Sequence, residues 1–134
     1  MSNRKRSAGF TLIELIIVIT LIAAVMAVVA GKVIQNKRRA EYNLAKTQMT
    51  QLAASIDQYE TDVGALPESL QQLVQSDAEG WLGPYARTED LKDPWRHPIE
   101  YRKPGADDKP FSLTSLGVDG QPGGDGVDRD LVAP

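Results

Sequence analysis

Residues 9–31, GFTLIELIIVITLIAAVMAVVAG, contain one charged side chain, Glu14, in an otherwise apolar run. From Phe10 to Gly31 the run is 22 residues long, which as a helix at ~1.5 Å per residue reaches about 33 Å and spans the hydrocarbon of a bilayer. Arg4, Lys5 and Arg6 stand in front of it, and a basic head followed by an apolar stretch is how a secretory signal begins. A cleaved signal, however, has a shorter apolar core with its small residues behind it, whereas here the small pair Ala8-Gly9 comes first. A cut between Gly9 and Phe10 removes the basic leader, residues 1–9, and leaves the apolar helix at residues 10–31 on the mature chain. The remainder, residues 32–134, is mixed and polar, so the chain divides into a leader, a membrane-spanning helix and a soluble part.

The whole chain has 134 residues, room for one small domain and a terminal extension. The net charge of -3 gives no bulk attraction for nucleic acid. With no cysteine there is neither a disulfide framework nor a thiolate metal site. Enzymatic signatures are also lacking. His97 is the single histidine, and GQPGGDG at 120–126 lacks the lysine and following helix of a phosphate-binding loop. No catalytic residue is expected, and His97, between Arg96 and Pro98, reads as a surface turn residue.

Beyond Gly31 come Lys32, Lys37, Arg38 and Arg39, cations suited either to lipid headgroup level or to a contact between subunits. Tyr42, Ala45, Met49, Leu52, Ile56, Tyr59 and Val63 then recur at intervals of three and four, the apolar seam of a helix from about Ala40 to Val63. Gly64 and Pro67 end it. Since Gly31 is the only interruption, the two helical stretches predict one long rod from Phe10 to Val63, with local melting possible at Gly31. Residues 67–74 read as a short second helix with proline in its first turn. The aromatics and prolines of GWLGPY (80–85) and LKDPWRHP (91–98) predict ordered turns. Ile99–Arg102 and Phe111–Leu116 alternate as strands, an antiparallel pair on which the seam can be buried.

LGVDGQPGGDGVDRD, residues 116–130, places Asp119, Asp125, Asp128 and Asp130 among five glycines. Acids this close repel unless neutralised, and a hard divalent cation that takes carboxylate and carbonyl oxygens would neutralise them. An EF-hand does not fit, because positions three and five of such a loop would be Gln121 and Gly123 and the last ligand would be Asp130. Spacing alone leaves two readings open, a cation loop and a solvated acidic turn.

Gly9-Phe10-Thr11-Leu12-Ile13-Glu14 resembles the processing motif of the type IV pilin-like family. YETDVGALPESLQQLV (59–74), LKDPWRHPIEYRKPG (91–105) and FSLTSLGVDGQPGGDGVD (111–128) resemble, in order, the soluble domain of the major pseudopilins of type II secretion systems. Three departures from that pattern are Leu66 in place of tyrosine, Arg96-His97 in place of Gly-Asn, and a tail without tryptophan. The resemblance implies an α+β, pilin-like fold: a long N-terminal helix, half transmembrane and half amphipathic, on a small antiparallel sheet with a C-terminal metal-binding loop. It implies cleavage after Gly9 and N-methylation of Phe10 by a prepilin peptidase. Glu14 of one subunit would then face the freed Phe10 amine of a neighbour, so both residues serve assembly.

The resemblance further implies calcium at the loop. Asp119 is the first candidate ligand, then Asp125 and Asp130, with Asp128 and the Leu116 carbonyl as further ones. The implied role is the major subunit of a short periplasmic pseudopilus that drives export of folded proteins through the outer membrane. It is anchored in the inner membrane by a single pass, and its partners are further copies of itself, minor pseudopilins, and the inner-membrane platform and assembly ATPase. A type IV pilin for adhesion, motility or DNA uptake is the alternative, and a monomeric membrane-anchored binding protein is a third reading.

Overall fold

The computed structural model describes residues 9–134; leader residues 1–8 lie outside the described part. The chain forms two compact units, one ending at Lys37 and the other running from Arg38 to Pro134. A single helix, α1, covers Leu12–Val63.

In the first unit every described residue is exposed, and this part of α1 is long and apolar enough to cross a membrane. The helix starts at Leu12, two residues later than Phe10, because Thr11 caps it. The Thr11 carbonyl accepts the first helical bond, from the Leu15 N–H at 3.1 Å, and the Thr11 hydroxyl accepts the Glu14 N–H at 3.2 Å, a donor that would otherwise be orphaned. Thr20 donates its hydroxyl to the Ile16 carbonyl at 2.7 Å, the back-bond that lets a hydroxyl sit in an apolar helix. Gly31 is helical.

In the second unit the helical seam is the core. Ala45, Met49, Leu52, Ala53, Ile56 and Tyr59 are buried, while the expected ends, Tyr42 and Val63, are half-buried. Leu70, Leu73, Leu91, Ile99, Phe111 and Leu113 close over them. The sheet has three antiparallel strands in the order β1-β2-β3: β1 Glu100–Arg102, β2 Ser112–Ser115 and β3 Leu131–Ala133. Tyr101 lies opposite Leu113, and Leu113 lies opposite Ala133. Leu113 and Ser115 share the inner face of β2, each with no exposed surface, as the two-residue period of a strand requires. The first two strands are each shorter than the sequence suggested, and β3 is additional. Both borders of the sheet are only three residues long; one carries Glu100 and Arg102, and the other stops at Pro134.

The expected second helix is one 3-10 turn, Leu70–Leu73. The Gln72 side chain accepts the Glu68 N–H at 2.8 Å, so the first turn is satisfied by a side chain in place of a helical ladder. GWLGPY is ordered, as read. Trp81 Nε1 donates to the Gln72 carbonyl at 3.0 Å, and the Tyr85 hydroxyl donates to Asp62 Oδ2 at 2.8 Å while accepting the Leu82 N–H at 2.8 Å. Tyr85 stands edge-on to both Tyr59 and Trp81, a favourable aromatic geometry.

Tyr101 ties the sheet to the segment after α1 by donating its hydroxyl to the Pro67 carbonyl at 2.8 Å. Burial, with Glu68, Glu60 and Tyr59 adding, pushes its ionisation from the ordinary 10.0 up to about 12. A raised tyrosine keeps its proton in the folded chain after the unfolded chain has lost it. Its contribution is therefore complete below pH 10.0 and is lost as pH rises towards about 12. Unfolding midpoints in urea are expected to fall across that window, and Tyr101→Phe should flatten the fall. An unchanged alkaline profile in the variant would assign the loss to other groups.

Candidate functional site at the processing motif and the acidic loop

Gly9 and Phe10 are exposed just before the helix, and Phe10 is 82% exposed. Glu14 lies in the first turn of α1, flanked by Ile13, Leu15, Ile16 and Ile17, all exposed. Among the described residues nothing pairs with its carboxylate. In hydrocarbon such a group costs about 2.5–3.5 kcal/mol at mid-depth, so the first unit presents an acid in need of a cation on a face in need of apolar cover.

In the second unit the acidic loop leaves β2 at Leu116, which is half-buried. Its geometry is set by short links. Asp119 Oδ1 accepts the Gln121 N–H at 3.1 Å, Asp130 Oδ2 accepts the Gly123 N–H at 2.9 Å, and the Asp125 carbonyl accepts the Asp128 N–H at 3.1 Å. Gly124 has φ +86, and a Cβ there would come within 2.5 Å of the Asp128 carbonyl, so the turn is closed to any larger residue. Asp119 and Asp125 are exposed; Asp128 and Asp130 are half-buried. Asp130 Oδ1 is buried and has no hydrogen-bond partner. An orphaned, buried carboxylate oxygen is a donor that suits a hard cation. The described residues contain no group of three or more acidic or histidine side chains gathered as for one ion. An ion bound here would therefore have to draw on backbone carbonyls together with the carboxylates.

Sequence reading missed the polar centre beside this loop. Asp93 is a carboxylate whose side chain is 1% exposed. Its Oδ1 accepts the backbone N–H of Trp95 at 3.1 Å and of His97 at 2.8 Å, and its Oδ2 accepts the Ser115 hydroxyl at 2.8 Å. Three donors hold a buried charge in place and account for Ser115, a polar side chain in the sheet core. The Asp93 carbonyl also accepts the Arg96 N–H at 2.9 Å, which closes a turn with Arg96 in the left-handed region at φ 69. Trp95 Nε1 donates to Glu41 of α1 at 3.3 Å. His97 is not a free surface residue as expected. It is half-buried, with Nδ1 3.2 Å from the Gly117 carbonyl and 3.7 Å from Asp93 Oδ2. The usable signal was the aspartate directly before Pro94-Trp95, a common way to organise a turn.

Comparison with known proteins agrees with this architecture. The family model for type II secretion system protein G matches residues 32–134, and the model for the prokaryotic N-terminal methylation motif matches residues 4–30. The type II secretion system core protein G of Xanthomonas campestris pv. campestris is 47% identical over 131 residues, covering 96% of this chain and 91% of that one. Its counterpart in Pseudomonas aeruginosa is 32% identical over 137 residues, with 96% of each chain covered. The crystal structure of the major pseudopilin from the type 2 secretion system of enterohaemorrhagic Escherichia coli superposes with a TM-score of 0.55 at 24% identity. The match covers 74% of this chain and 90% of that one, a likeness of fold.

Proposed function

The chain belongs to the type II secretion system protein G family, and on that footing we propose that it is the major structural subunit of a pseudopilus. The observation that carries this reading is the family match over the whole soluble part, residues 32–134, joined to a methylation motif over residues 4–30. Leader residues 1–9 are removed, Phe10 becomes the methylated N-terminus, residues 10–31 anchor the chain by one pass in the inner membrane, and residues 32–134 form the periplasmic domain. Copies polymerise through the apolar helix, with Glu14 of one facing the Phe10 amine of the next, into a filament that drives folded proteins towards the outer membrane. Prepilin peptidase, platform, assembly ATPase and minor pseudopilins are its partners. The subunit is structural and carries no reaction of its own. The family match does not favour the type IV pilin alternative.

Deleting the gene is expected to leave secreted enzymes in the periplasm with surface twitching unaffected, and mass spectrometry of the mature chain should find a start at methylated phenylalanine. Lost twitching with normal secretion would instead make the chain a type IV pilin.

Calcium is the second part of the reading. Asp119, Asp125, Asp130, Asp128 and the Leu116 carbonyl are the residues that would hold it, and the unpartnered Asp130 oxygen supports this. Bound there, the ion neutralises the carboxylates and cross-links a loop that has little apolar anchorage. An ion that binds only the folded chain stabilises it by about 2.7 kcal/mol at one hundred times its Kd. For a domain of this size that corresponds to a Tm roughly 10–20 °C higher. Chelation of the purified full chain should lower Tm by that order. Identical melting with and without chelator would remove calcium from the account.

A further inference from the structure

His97 stands outside the proposed ligand set, yet it touches the loop at two points. Its Nδ1 is 3.2 Å from the Gly117 carbonyl. A carbonyl only accepts, so Nδ1 carries the proton and donates it there. The ring also lies flat against Gly120. A Cβ on Gly120 would stand 3.0 Å from Cε1, 3.1 Å from Nε2 and 3.3 Å from Nδ1, so a larger residue there would press the imidazole back, and at φ +64 it would also be strained. Asp119 lies between these two contacts, and the Leu116 carbonyl directly precedes the first.

The imidazole is itself held from behind. Asp93 accepts the backbone N–H of His97 at 2.8 Å, and the Asp93 N–H donates to the His97 carbonyl at 2.9 Å. The carboxylate also lies 3.7 Å from Nδ1 and is anchored to β2 through Ser115. A chain of contacts thus runs from the sheet core through Asp93 and His97 to the backbone at 117–120.

We propose that His97 is a positioning residue for the calcium loop: it fixes the backbone of Gly117–Gly120 so that Asp119 and the Leu116 carbonyl are already in place when the ion arrives. This rests on the calcium reading above. Its physical content is preorganisation, since a loop ordered beforehand loses less freedom on binding. Groups that orient metal ligands from outside the ligand set typically carry 10–100-fold in affinity.

Two measurements on the full chain in detergent separate the possibilities. In metal-free protein, amide hydrogen exchange at Gly117–Gly120 should speed up at least about tenfold in His97→Ala, with α1 and β2 protected as in the parent. His97→Asn should restore slow exchange, because its amide N–H can reach the same carbonyl. Calcium titration should show affinity reduced about tenfold or more in His97→Ala and recovered in His97→Asn, at equal metal-free Tm. Unchanged exchange in His97→Ala overturns the positioning role and leaves the calcium reading standing. Faster exchange in His97→Ala with undiminished calcium affinity also overturns it, since the contact would then be structural only. A parent chain that takes up no calcium at millimolar concentration overturns the calcium reading, and the positioning role with it, whatever the exchange data show.

Discussion

Glu14→Gln is expected to abolish filament formation and secretion while leaving the chain inserted in the membrane at parental levels. Glutamine keeps the size and polarity of the side chain and is easier to place in lipid than a carboxylate. Neither insertion nor the Thr11 cap should suffer, since the cap uses the Glu14 backbone N–H. On the proposed assembly, what is lost is the negative charge that would meet the Phe10 amine of an adjoining subunit. A hydrogen bond to a charged group contributes about 1.5–3 kcal/mol, or roughly ten- to a hundredfold in the equilibrium of each addition step. Because every subunit in a polymer repeats the loss, filaments should fall below detection by electron microscopy and secreted enzyme should remain in the periplasm. Glu14→Asp should be intermediate, with the charge kept and the reach shortened. Filaments of normal length in the glutamine variant would show that the acid does not pair in assembly.

Asp93→Ala should be the most damaging single change in the soluble unit. It leaves the Ser115 hydroxyl and the N–H groups of Trp95 and His97 without their acceptor, all around a side chain that is 1% exposed. Removing a buried charged acceptor from such a network costs on the order of 3–5 kcal/mol, and Tm should fall by more than roughly 12 °C. Asp93→Asn should cost far less, because its carbonyl can still take the two backbone donors and Ser115 can turn to accept from its amide. Thermal unfolding of both variants is the measurement; equal, small losses would mean that the carboxylate is a passenger in the turn.

The readable features were those whose signal is local. The apolar run with its lone acid and the three-four spacing from Ala45 to Tyr59 each decide an element by themselves, and both appear as read. β3 has three residues between an acidic loop and a proline, too few to display alternation, and is defined only by its pairing with β2. Asp93 and Ser115 are 22 residues apart, and nothing in either neighbourhood announces that they meet. On spacing alone the loop acids read either as a cation loop or as a solvated turn, and their arrangement was not legible, since Asp119 and Asp130 each spend an oxygen on the loop's own backbone. His97 was misread because a turn residue between arginine and proline looks solvated until the glycine segment folds beneath its ring.

The brevity of the sheet's two margins bears on how the protein avoids sticking to itself in the wrong way. A molecule made to multiply is exposed to runaway side-by-side pairing of strands, because unsatisfied backbone at a margin invites another chain. Here one margin offers three residues, two of them oppositely charged, and the other is a strand of only three residues. On the filament reading proposed above, such short margins leave the apolar helix as the surface through which copies add, and keep the sheet from templating cross-β growth.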